Sequence, residues 1–314
     1  MFSLAQAAAL SRARKNSLVI LAVQRFVAAF VAALSLAALA DELPPLSDRV
    51  AGGDGMYMVW PGDILIGIGA RFGVDYKLLA RDNALADENR IYAGKPLRIR
   101  NPHIVPAGMG DGILINIPQR MLFHFGRGEL LAAYPVGLGK PDWPTPEGQF
   151  RIVTRETHKS WIVPKSIQEE MRRESKIVQQ EVPPGPDNPL GAHWLGLNLW
   201  GYGIHGTIAP SSVYRFRSHG CIRLHPDDIA ELFDKLKIGA RGRLIYQPVL
   251  LAVVEDGRIL LEVHADIYGK GGDPAQTVRD MAAANGLSQA IDWPLAEAVI
   301  AAQEGRAAEV GRLP

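Results

Sequence analysis

A single cysteine, Cys221, occurs among the 314 residues of the chain, so no intramolecular disulfide can constrain its fold. It lies in the run Ser218-His219-Gly220-Cys221-Ile222-Arg223, and His205 stands upstream of it. Positive charge and backbone N–H groups stabilise a thiolate, and two histidines and an arginine are close by in the sequence. A cysteine with a separately placed histidine is typical of a thiol nucleophile and its general base. The alternative is that Cys221 is a small buried apolar residue, as free cysteines commonly are.

The first 40 residues have the pattern of an export signal. Basic residues precede an apolar run that ends in Ala38-Leu39-Ala40, a small-x-small cleavage pattern. The run of about 15 residues is shorter than the roughly 20 that span a bilayer. We therefore expect residues 1–40 to be a signal peptide cleaved after Ala40, with an uncleaved membrane anchor as the alternative. A proline-containing linker is expected over residues 41–56.

The charge of the chain is balanced, with 34 Lys and Arg against 33 Asp and Glu. The formal net charge is +1, and the basic residues are scattered rather than clustered. A nucleic-acid-binding protein would be expected to carry a basic footprint, so we predict no nucleic-acid partner. One cysteine also suits an exported protein with a reactive thiol, because a second cysteine would favour a disulfide in an oxidising compartment.

Residues 57–100 show a β-α-α-β pattern. An extended run leads into a helix that Asp63 is placed to cap, and apolar residues follow at helical spacing as far as Gly73. A second extended run closes the unit. Two glycines, Gly67 and Gly69, stand inside the first helix, where each costs roughly 1 kcal/mol relative to alanine.

Residues 111–247 form the second predicted unit, which is mainly β with one or two helices. Strands are predicted over 113–117, 121–125, 129–136, 149–154 and 243–246. A proline-rich insertion contains a charged stretch, residues 167–180, that we expect to be helical, and such insertions often act as lids or substrate walls. After the cysteine, a helix is predicted to begin at Pro226.

Residues 248–314 are expected to form an accessory lobe. Glu255-Asp256-Gly257 predicts a hairpin between two apolar runs, because an Asp-Gly pair favours a tight turn. Helices are predicted over 274–284 and 295–308. No residue of this lobe suggests chemistry of its own.

Several motifs of residues 111–247 resemble the YkuD-type L,D-transpeptidases, cysteine enzymes that remodel bacterial peptidoglycan. Residues 202–207 and the SHGCIRL run carry the resemblance, which extends in the family's order to other runs. These are Gly112-Ile113-Leu114-Ile115-Asn116, Pro144-Thr145-Pro146-Glu147-Gly148-Gln149-Phe150, Gly185-Pro186-Asp187-Asn188-Pro189-Leu190-Gly191 and His225-Pro226-Asp227-Asp228. The resemblance implies a β-sandwich or barrel-like catalytic domain, hence a fold that is mainly β with α, and a location in the periplasm.

The unit at residues 57–100 resembles a LysM module, a small βααβ fold that binds glycans. Pro61-Gly62-Asp63, Arg71-Phe72-Gly73-Val74 and Ala93-Gly94-Lys95-Pro96-Leu97 match its pattern. The resemblance implies glycan contact through this unit. The alternative is a structural spacer that binds nothing strongly, because a fold does not by itself imply a function.

The resemblance to the L,D-transpeptidases assigns roles to the central residues. Cys221 would attack the carbonyl of the third residue of a peptidoglycan stem peptide, and His205 would take the thiol proton and later protonate the leaving amine. The backbone carbonyl of Gly206 would orient the imidazole. The acyl-enzyme would then be resolved by an amine, giving a crosslink or attachment to an outer-membrane lipoprotein, or by water, giving carboxypeptidase activity.

Other residues of the motif would shape the site. The backbone N–H groups of His219, Gly220 and Cys221 would stabilise the oxyanion. Ser218 would form hydrogen bonds within the loop. Arg223 would hold a substrate carboxylate or would pair with a nearby acid to steady the loop, and both interpretations stay open. Tyr202 would line the substrate groove or belong to the core.

Two alternatives concern the kind of protein. A catalytically silent wall-binding protein would be expected to have lost at least one motif residue, yet all are present. A zinc site could draw on His205, His219, Cys221 and His225, but their spacing is not a usual ligand arrangement and no CxxC or HExxH pattern occurs. We therefore expect an enzyme with neither a metal nor another cofactor.

Overall fold

A computed structural model describes residues 43–314 of the protein. The predicted signal peptide, residues 1–40, lies outside the described residues. None of the helices within 43–314 has the length and apolar character needed to cross a membrane. These helices are α1 (Leu65–Phe72), α2 (Tyr76–Asp82), α3 (Lys165–Arg173), α4 (Pro226–Lys235), α5 (Pro274–Ala284) and α6 (Trp293–Ala302).

The strands are short apart from β9 and are distributed over the whole described range. They are β1 (Val50–Ala51), β2 (Asp54–Met58), β3 (Pro96–Arg100), β4 (His103–Ile104), β5 (Gly112–Asn116), β6 (Met121–Gly126), β7 (Glu129–Pro135), β8 (Leu138–Gly139), β9 (Gly148–Thr157), β10 (Trp161–Ile162), β11 (Glu181–Val182), β12 (His193–Leu197), β13 (Gly203–His205), β14 (Phe216–Ser218), β15 (Ile222–Arg223), β16 (Arg241–Ile245), β17 (Val249–Val253), β18 (Arg258–Val263) and β19 (Ala308–Arg312).

The largest sheet has eight strands in the order β15-β13-β12-β9-β16-β5-β6-β7. Its pairs are antiparallel except that β16 runs parallel to β5 and β15 parallel to β13. Strands β5 and β6 are buried almost throughout, because both faces of the sheet are covered. Ile113 and Ile115 enter one apolar cluster, and Leu114 and Phe123 enter another. The expected fold class, mainly β with α, is confirmed.

The predicted β-α-α-β order is present, with β2 and β3 paired antiparallel and α1 and α2 between them in the chain. The expected helix cap is wrong. The Asp63 carboxylate accepts hydrogen bonds from the Trp60 N–H at 2.7 Å and from the Tyr57 hydroxyl at 2.9 Å. It therefore closes the turn before the helix, and α1 begins after Ile64 without a side-chain cap.

One of the helical glycines has a packing reason. A Cβ atom on Gly69 would lie 2.5 Å from the carbonyl oxygen of Val74. The chain that follows α1 thus runs so close to the helix that only glycine fits at this position. The entropic cost of Gly69 is offset by the tight connection between α1 and α2.

The later part of the expected linker, residues 41–56, packs against the rest of the described chain. Ser47 forms a bridge with Ala252, and its hydroxyl donates to the carbonyl of Val105 at 2.6 Å. Strand β1 pairs with β4. These partners lie far along the chain, so nothing in the local composition of the segment indicates them.

The C-terminal residues form a three-stranded sheet, β17-β18-β19, with α5 and α6 packed on it. The predicted hairpin and the helix over residues 274–284 are confirmed. The predicted helix over 295–308 ends instead at Ala302, because Gln303 adopts a left-handed conformation with φ 45°. The chain then forms β19. The helix predicted over residues 167–180 is also shorter than expected, because α3 ends at Arg173 and the residues from there to 180 are not helical.

Candidate active site

A parallel pair of short strands brings the predicted catalytic residues together. In the register of β13 and β15, His205 lies beside Arg223 and Ile204 beside Ile222. Cys221 directly precedes β15, and because side chains alternate along a strand, it faces the same side as Arg223 and His205. The strand rise and spacing put the Cα atoms of Cys221 and His205 about 8 Å apart, which two side chains on one face can bridge.

His205 is almost fully buried and is held from two directions. Its Nδ1 donates to the carbonyl of Gly206 at 2.6 Å, since a carbonyl can only accept. Its ring stacks on Trp194, with centroids 5.6 Å apart. Burial lowers the pKa of His205 to about 3, and the positive charge of Arg223 adds to the effect. The imidazole is therefore neutral at neutral pH, and Nε2 can accept a proton.

Cys221 is half-buried. Its Sγ donates to the carbonyl of Gly201 at 3.7 Å. Burial raises the pKa of the thiol above its ordinary 9.0, an effect that the Gly203 backbone and Arg223 only partly offset. No hydrogen bond joins Sγ to His205 within residues 43–314. The resting pair is thus a neutral thiol and a neutral imidazole.

Ser218 closes the loop that precedes the cysteine. Its hydroxyl donates to the carbonyl of Cys221 at 2.6 Å and accepts from the N–H of Gly220 at 3.1 Å. Gly220 has φ 100°, and a Cβ there would lie 2.6 Å from the Tyr202 ring, so only glycine fits. The Gly220 N–H, expected to face an oxyanion, is therefore already engaged. Within residues 43–314 the N–H groups of His219 and Cys221 donate to no protein group.

Arg223 has no acidic partner in the described part of the chain. Its Nε is buried without a hydrogen bond, whereas its backbone exchanges two hydrogen bonds with Gly137, each 2.8 Å long. Of the two interpretations that the sequence leaves open, the absence of a neighbouring acid favours a substrate carboxylate as the partner of the guanidinium.

His219 connects the loop to the long insertion. Its Nε2 makes a short hydrogen bond to the carboxylate of Glu170 on α3, and its ring meets Trp143 edge-on with centroids 4.9 Å apart. Glu170 also accepts from Nζ of Lys140 at 2.6 Å. The bonds from Lys140 and then His219 hold the pKa of Glu170 at about 2. Sequence analysis missed Glu170 and Lys140, whose only signal was the charge of the predicted helix.

The two aromatic residues beside the cysteine differ in exposure. Tyr202 is half-buried and packs against the main apolar cluster and Gly220, so the structure places it with the core. Trp200 is 97% exposed and lies next to Gly201, whose carbonyl faces the thiol. Trp200 is therefore the more exposed of the two aromatic side chains.

The chemical groups at this site fit acyl transfer. The site holds a thiol, a neutral base, two free backbone amides and a guanidinium without an acid. The candidate zinc ligands His205, His219, Cys221 and His225 do not form a group that could hold a metal ion. No other such group occurs within the described range.

Two family models and several named relatives match this chain. Residues 110–251 match the model of the YkuD L,D-transpeptidase catalytic domain, and residues 57–100 match that of the LysM domain. The probable L,D-transpeptidase YcfS of Escherichia coli is 30% identical over 257 residues, which cover 80% of each chain. The probable L,D-transpeptidase ErfK/SrfK of Salmonella typhimurium is 31% identical over 72% of this chain and 74% of its own.

Among solved structures, an L,D-transpeptidase from Mycobacterium tuberculosis aligns with 14% identity over 50% of this chain and 74% of its own. Its TM-score of 0.34 is too low to bear on the assignment. The family assignment therefore depends on the two domain models and on the relatives that match most of the chain. The chain belongs to the L,D-transpeptidase family, as an enzyme with a YkuD catalytic domain and a LysM domain.

Proposed function

We propose that the enzyme forms an acyl-enzyme between Cys221 and a peptidoglycan tetrapeptide stem, and transfers the acyl group to an amine in cell-wall remodelling. The neutral thiol and neutral imidazole on one face of the β13–β15 pair carry the proposal. A buried imidazole with a low pKa is neutral at neutral pH, with its one proton on Nδ1, so Nε2 can receive the proton that the thiol must lose.

The proposed reaction has two halves. Sγ attacks the carbonyl carbon of the third stem residue while Nε2 of His205 takes the thiol proton. The bond from that carbon to the amide nitrogen of the fourth residue then breaks, His205 protonates the departing amine, and a thioester remains on Cys221. In the second half, His205 removes a proton from the acceptor amine, whose nitrogen bonds to the carbonyl carbon while the C–S bond breaks. The proton on His205 then passes to the sulfur and restores the thiol.

The free backbone amides and the guanidinium would bind the negatively charged groups of the reacting substrate. The N–H groups of Cys221 and His219 are the available donors for the oxyanion, and one such donor contributes roughly 3–4 kcal/mol to the transition state in acyl-transfer enzymes. Arg223 would bind a carboxylate of the stem peptide, since it lies on the same face as Cys221 and has no acid of its own.

We infer an extracytoplasmic enzyme whose LysM domain contacts glycan. Trp60 and Tyr92, in the loops that flank α1 and β3, are 66% and 65% exposed, and aromatic faces of this kind suit contact with sugar rings. The acceptor amine would come from another stem peptide or from an outer-membrane lipoprotein. The signal segment 1–40 would direct export.

Intact-protein mass spectrometry tests the acyl-enzyme. We expect incubation with a tetrapeptide-bearing muropeptide or a carbapenem to give an adduct that maps to Cys221 and is absent from Cys221→Ala. The variant should retain its melting temperature, because removing one sulfur from a half-buried loop position costs little packing. An undiminished adduct in Cys221→Ala would refute the nucleophile. No adduct on well-folded wild-type protein would instead favour a silent wall-binding protein.

A further inference from the structure

We propose that Tyr268, a residue of the C-terminal lobe, is a positioning residue that sets the direction of the Cys221 N–H through a chain of hydrogen bonds. The inference depends on the proposed function, because it assigns this N–H to the oxyanion of acyl transfer. It gives the C-terminal lobe, which contributes no reacting group, a part in the chemistry.

The first step of the chain joins the lobe to the segment before β9. The Tyr268 hydroxyl donates to the carbonyl of Gly139 at 2.6 Å and accepts from the N–H of Thr145 at 3.2 Å. Burial raises the pKa of Tyr268 above its ordinary 10.0, so the hydroxyl keeps the proton that it donates. One hydroxyl thus clamps both ends of the turn between Gly139 and Thr145.

The second step joins that turn to the active-site loop. The side-chain oxygen Oγ1 of Thr145 accepts from the N–H of Gly139 and donates to the carbonyl of Gly220, both at 2.9 Å. Thr145 is 1% exposed, so water does not compete for these bonds. A Cβ on Gly139 would lie 3.0 Å from the Cα of Gly220, which shows how closely the turn and the loop are packed.

The third step follows from the planarity of the peptide group. The carbonyl of Gly220 and the N–H of Cys221 belong to the same peptide unit, whose atoms lie in one plane and point in opposite directions. A bond that holds the Gly220 carbonyl toward Thr145 therefore aims the Cys221 N–H to the other side. That N–H has no hydrogen-bond partner in residues 43–314, which is expected of a donor that is reserved for a ligand.

Tyr268 is itself held rigidly. Its ring stacks on Tyr246 with centroids 5.6 Å apart, and its N–H donates to the Tyr246 hydroxyl at 2.8 Å. Phe216, on the strand that leads to Ser218, meets the ring edge-on at 5.7 Å. Asp266 accepts the Tyr246 hydroxyl and two backbone N–H groups of the following turn. The hydroxyl therefore has a fixed position from which to align the loop.

Tyr268→Phe tests the proposal, with acylation and alkylation of Cys221 measured on the same protein. We expect the rate constant of acylation by the muropeptide to fall about tenfold, because an oxyanion donor is misaligned rather than removed. The muropeptide concentration that gives half-saturation should stay nearly unchanged. Alkylation by iodoacetamide should be unchanged, since it forms no oxyanion. Thr145→Val should slow acylation as Tyr268→Phe does, whereas Thr145→Ser, which keeps the hydroxyl, should acylate at the wild-type rate. The variant that combines Tyr268→Phe with Thr145→Val should be no slower than Thr145→Val alone.

A second measurement does not require acylation. Protein labelled with ¹⁵N-cysteine gives one backbone amide resonance, that of Cys221, because the chain has one cysteine. We expect this resonance to shift in Tyr268→Phe and Thr145→Val and to stay in place in Thr145→Ser. An unmoved resonance in Tyr268→Phe would overturn the positioning role, as would unchanged acylation in that variant. Wild-type protein that forms no adduct would overturn the proposed function, while the resonance would still decide the role of Tyr268.

Discussion

At the residue scale, Cys221 and His205 are both uncharged at rest. Burial changes their pKa values in opposite directions, up for the thiol and down for the imidazole. A preformed ion pair would require the thiol to be the stronger acid, and here it is the weaker one. We therefore expect proton transfer to accompany the attack of sulfur on the substrate rather than to precede it.

The pH dependence of alkylation follows from this order. We expect the rate of Cys221 alkylation by iodoacetamide to rise about tenfold per pH unit between pH 7 and 9, because only the thiolate reacts and its pKa is raised. Thiol content after denaturation serves as the control for labelling stoichiometry. A plateau between pH 5 and 7 would reveal a preformed thiolate and contradict the assignment.

The sequence motif contains Cys221, His205 and Arg223, whose side chains the β13–β15 pair brings to one face. It could not show that Ser218 occupies the N–H of Gly220, since that depends on how the loop turns in space. A sequence motif locates the backbone N–H groups that could bind an oxyanion, but it does not show whether they are already hydrogen-bonded. Which of them is free has to be read from the hydrogen bonds.

At the element scale, helix α3 is attached to the protein by polar contacts. No residue of α3 is buried, and its N-terminus has no side-chain cap. The bonds of Glu170 with Lys140 and His219 therefore do most to hold it beside the active-site loop. A helix without a buried apolar face opens easily once such bonds are lost.

Replacing this carboxylate should release the helix. We expect Glu170→Gln to increase tryptic cleavage at Arg172 and Arg173 severalfold, because local opening exposes the chain while the core is unaffected. Glu169→Gln, an exposed neighbour on the same helix, is the matched control. Equal cleavage of the two variants would mean that α3 is held in another way.

The positions at which elements end were harder to predict than their type. The charged stretch at residues 167–180 predicted a helix, but Ser175 has φ 55° and the helix stops before it. Strand β19 was missed altogether, because its partner β18 lies about 50 residues earlier and no local periodicity records that pairing. Local patterns thus indicated the kind of element where a periodicity is present, whereas tertiary contacts decided its limits and formed β19.

At the scale of the whole molecule, one buried carboxylate joins three parts of the described chain. Glu262 on β18 is fully buried, and its oxygens accept hydrogen bonds of 2.5 to 3.0 Å from the backbone of Ile104 and the side chains of His103, Gln119 and His264. His103 also reaches the carbonyl of Gly73, just after α1. The LysM unit, the catalytic sheet and the C-terminal lobe therefore share one polar centre.

Removing that charge should destabilise the protein strongly. We expect Glu262→Gln to lower the free energy of unfolding by about 3–5 kcal/mol, because the charge is lost and one of the two acceptor oxygens becomes an NH2 group that faces buried donors. Urea denaturation followed by tryptophan fluorescence measures the change. Glu309→Gln, at an exposed position on the neighbouring strand, should stay within about 0.5 kcal/mol of wild type. Equal stability of the two variants would refute a central role for Glu262.

The contribution of Glu262 to the free energy of unfolding should also depend on pH. Burial works to raise its pKa, but the charge and hydrogen bonds of His103, followed by those of His264, lower it from 4.5 to about 2. A carboxyl whose pKa is lower in the folded state stabilises the fold above its unfolded pKa and ceases to do so as pH falls through the folded one. We therefore expect the stability gap between wild type and Glu262→Gln to narrow from pH 4.5 to pH 2. A constant gap would contradict this.

The protonated thiol of Cys221 also bears on how long the enzyme survives. Peroxides oxidise thiolates, and because burial raises the pKa of this thiol, only a small fraction of it is ionised at pH 7. The chain has no second cysteine that could reduce a sulfenic acid by forming a disulfide, so such damage could not be reversed internally. Burial that suppresses ionisation therefore protects the sulfur from peroxides, and in the proposed reaction the thiol loses its proton only when a substrate carbonyl is in place.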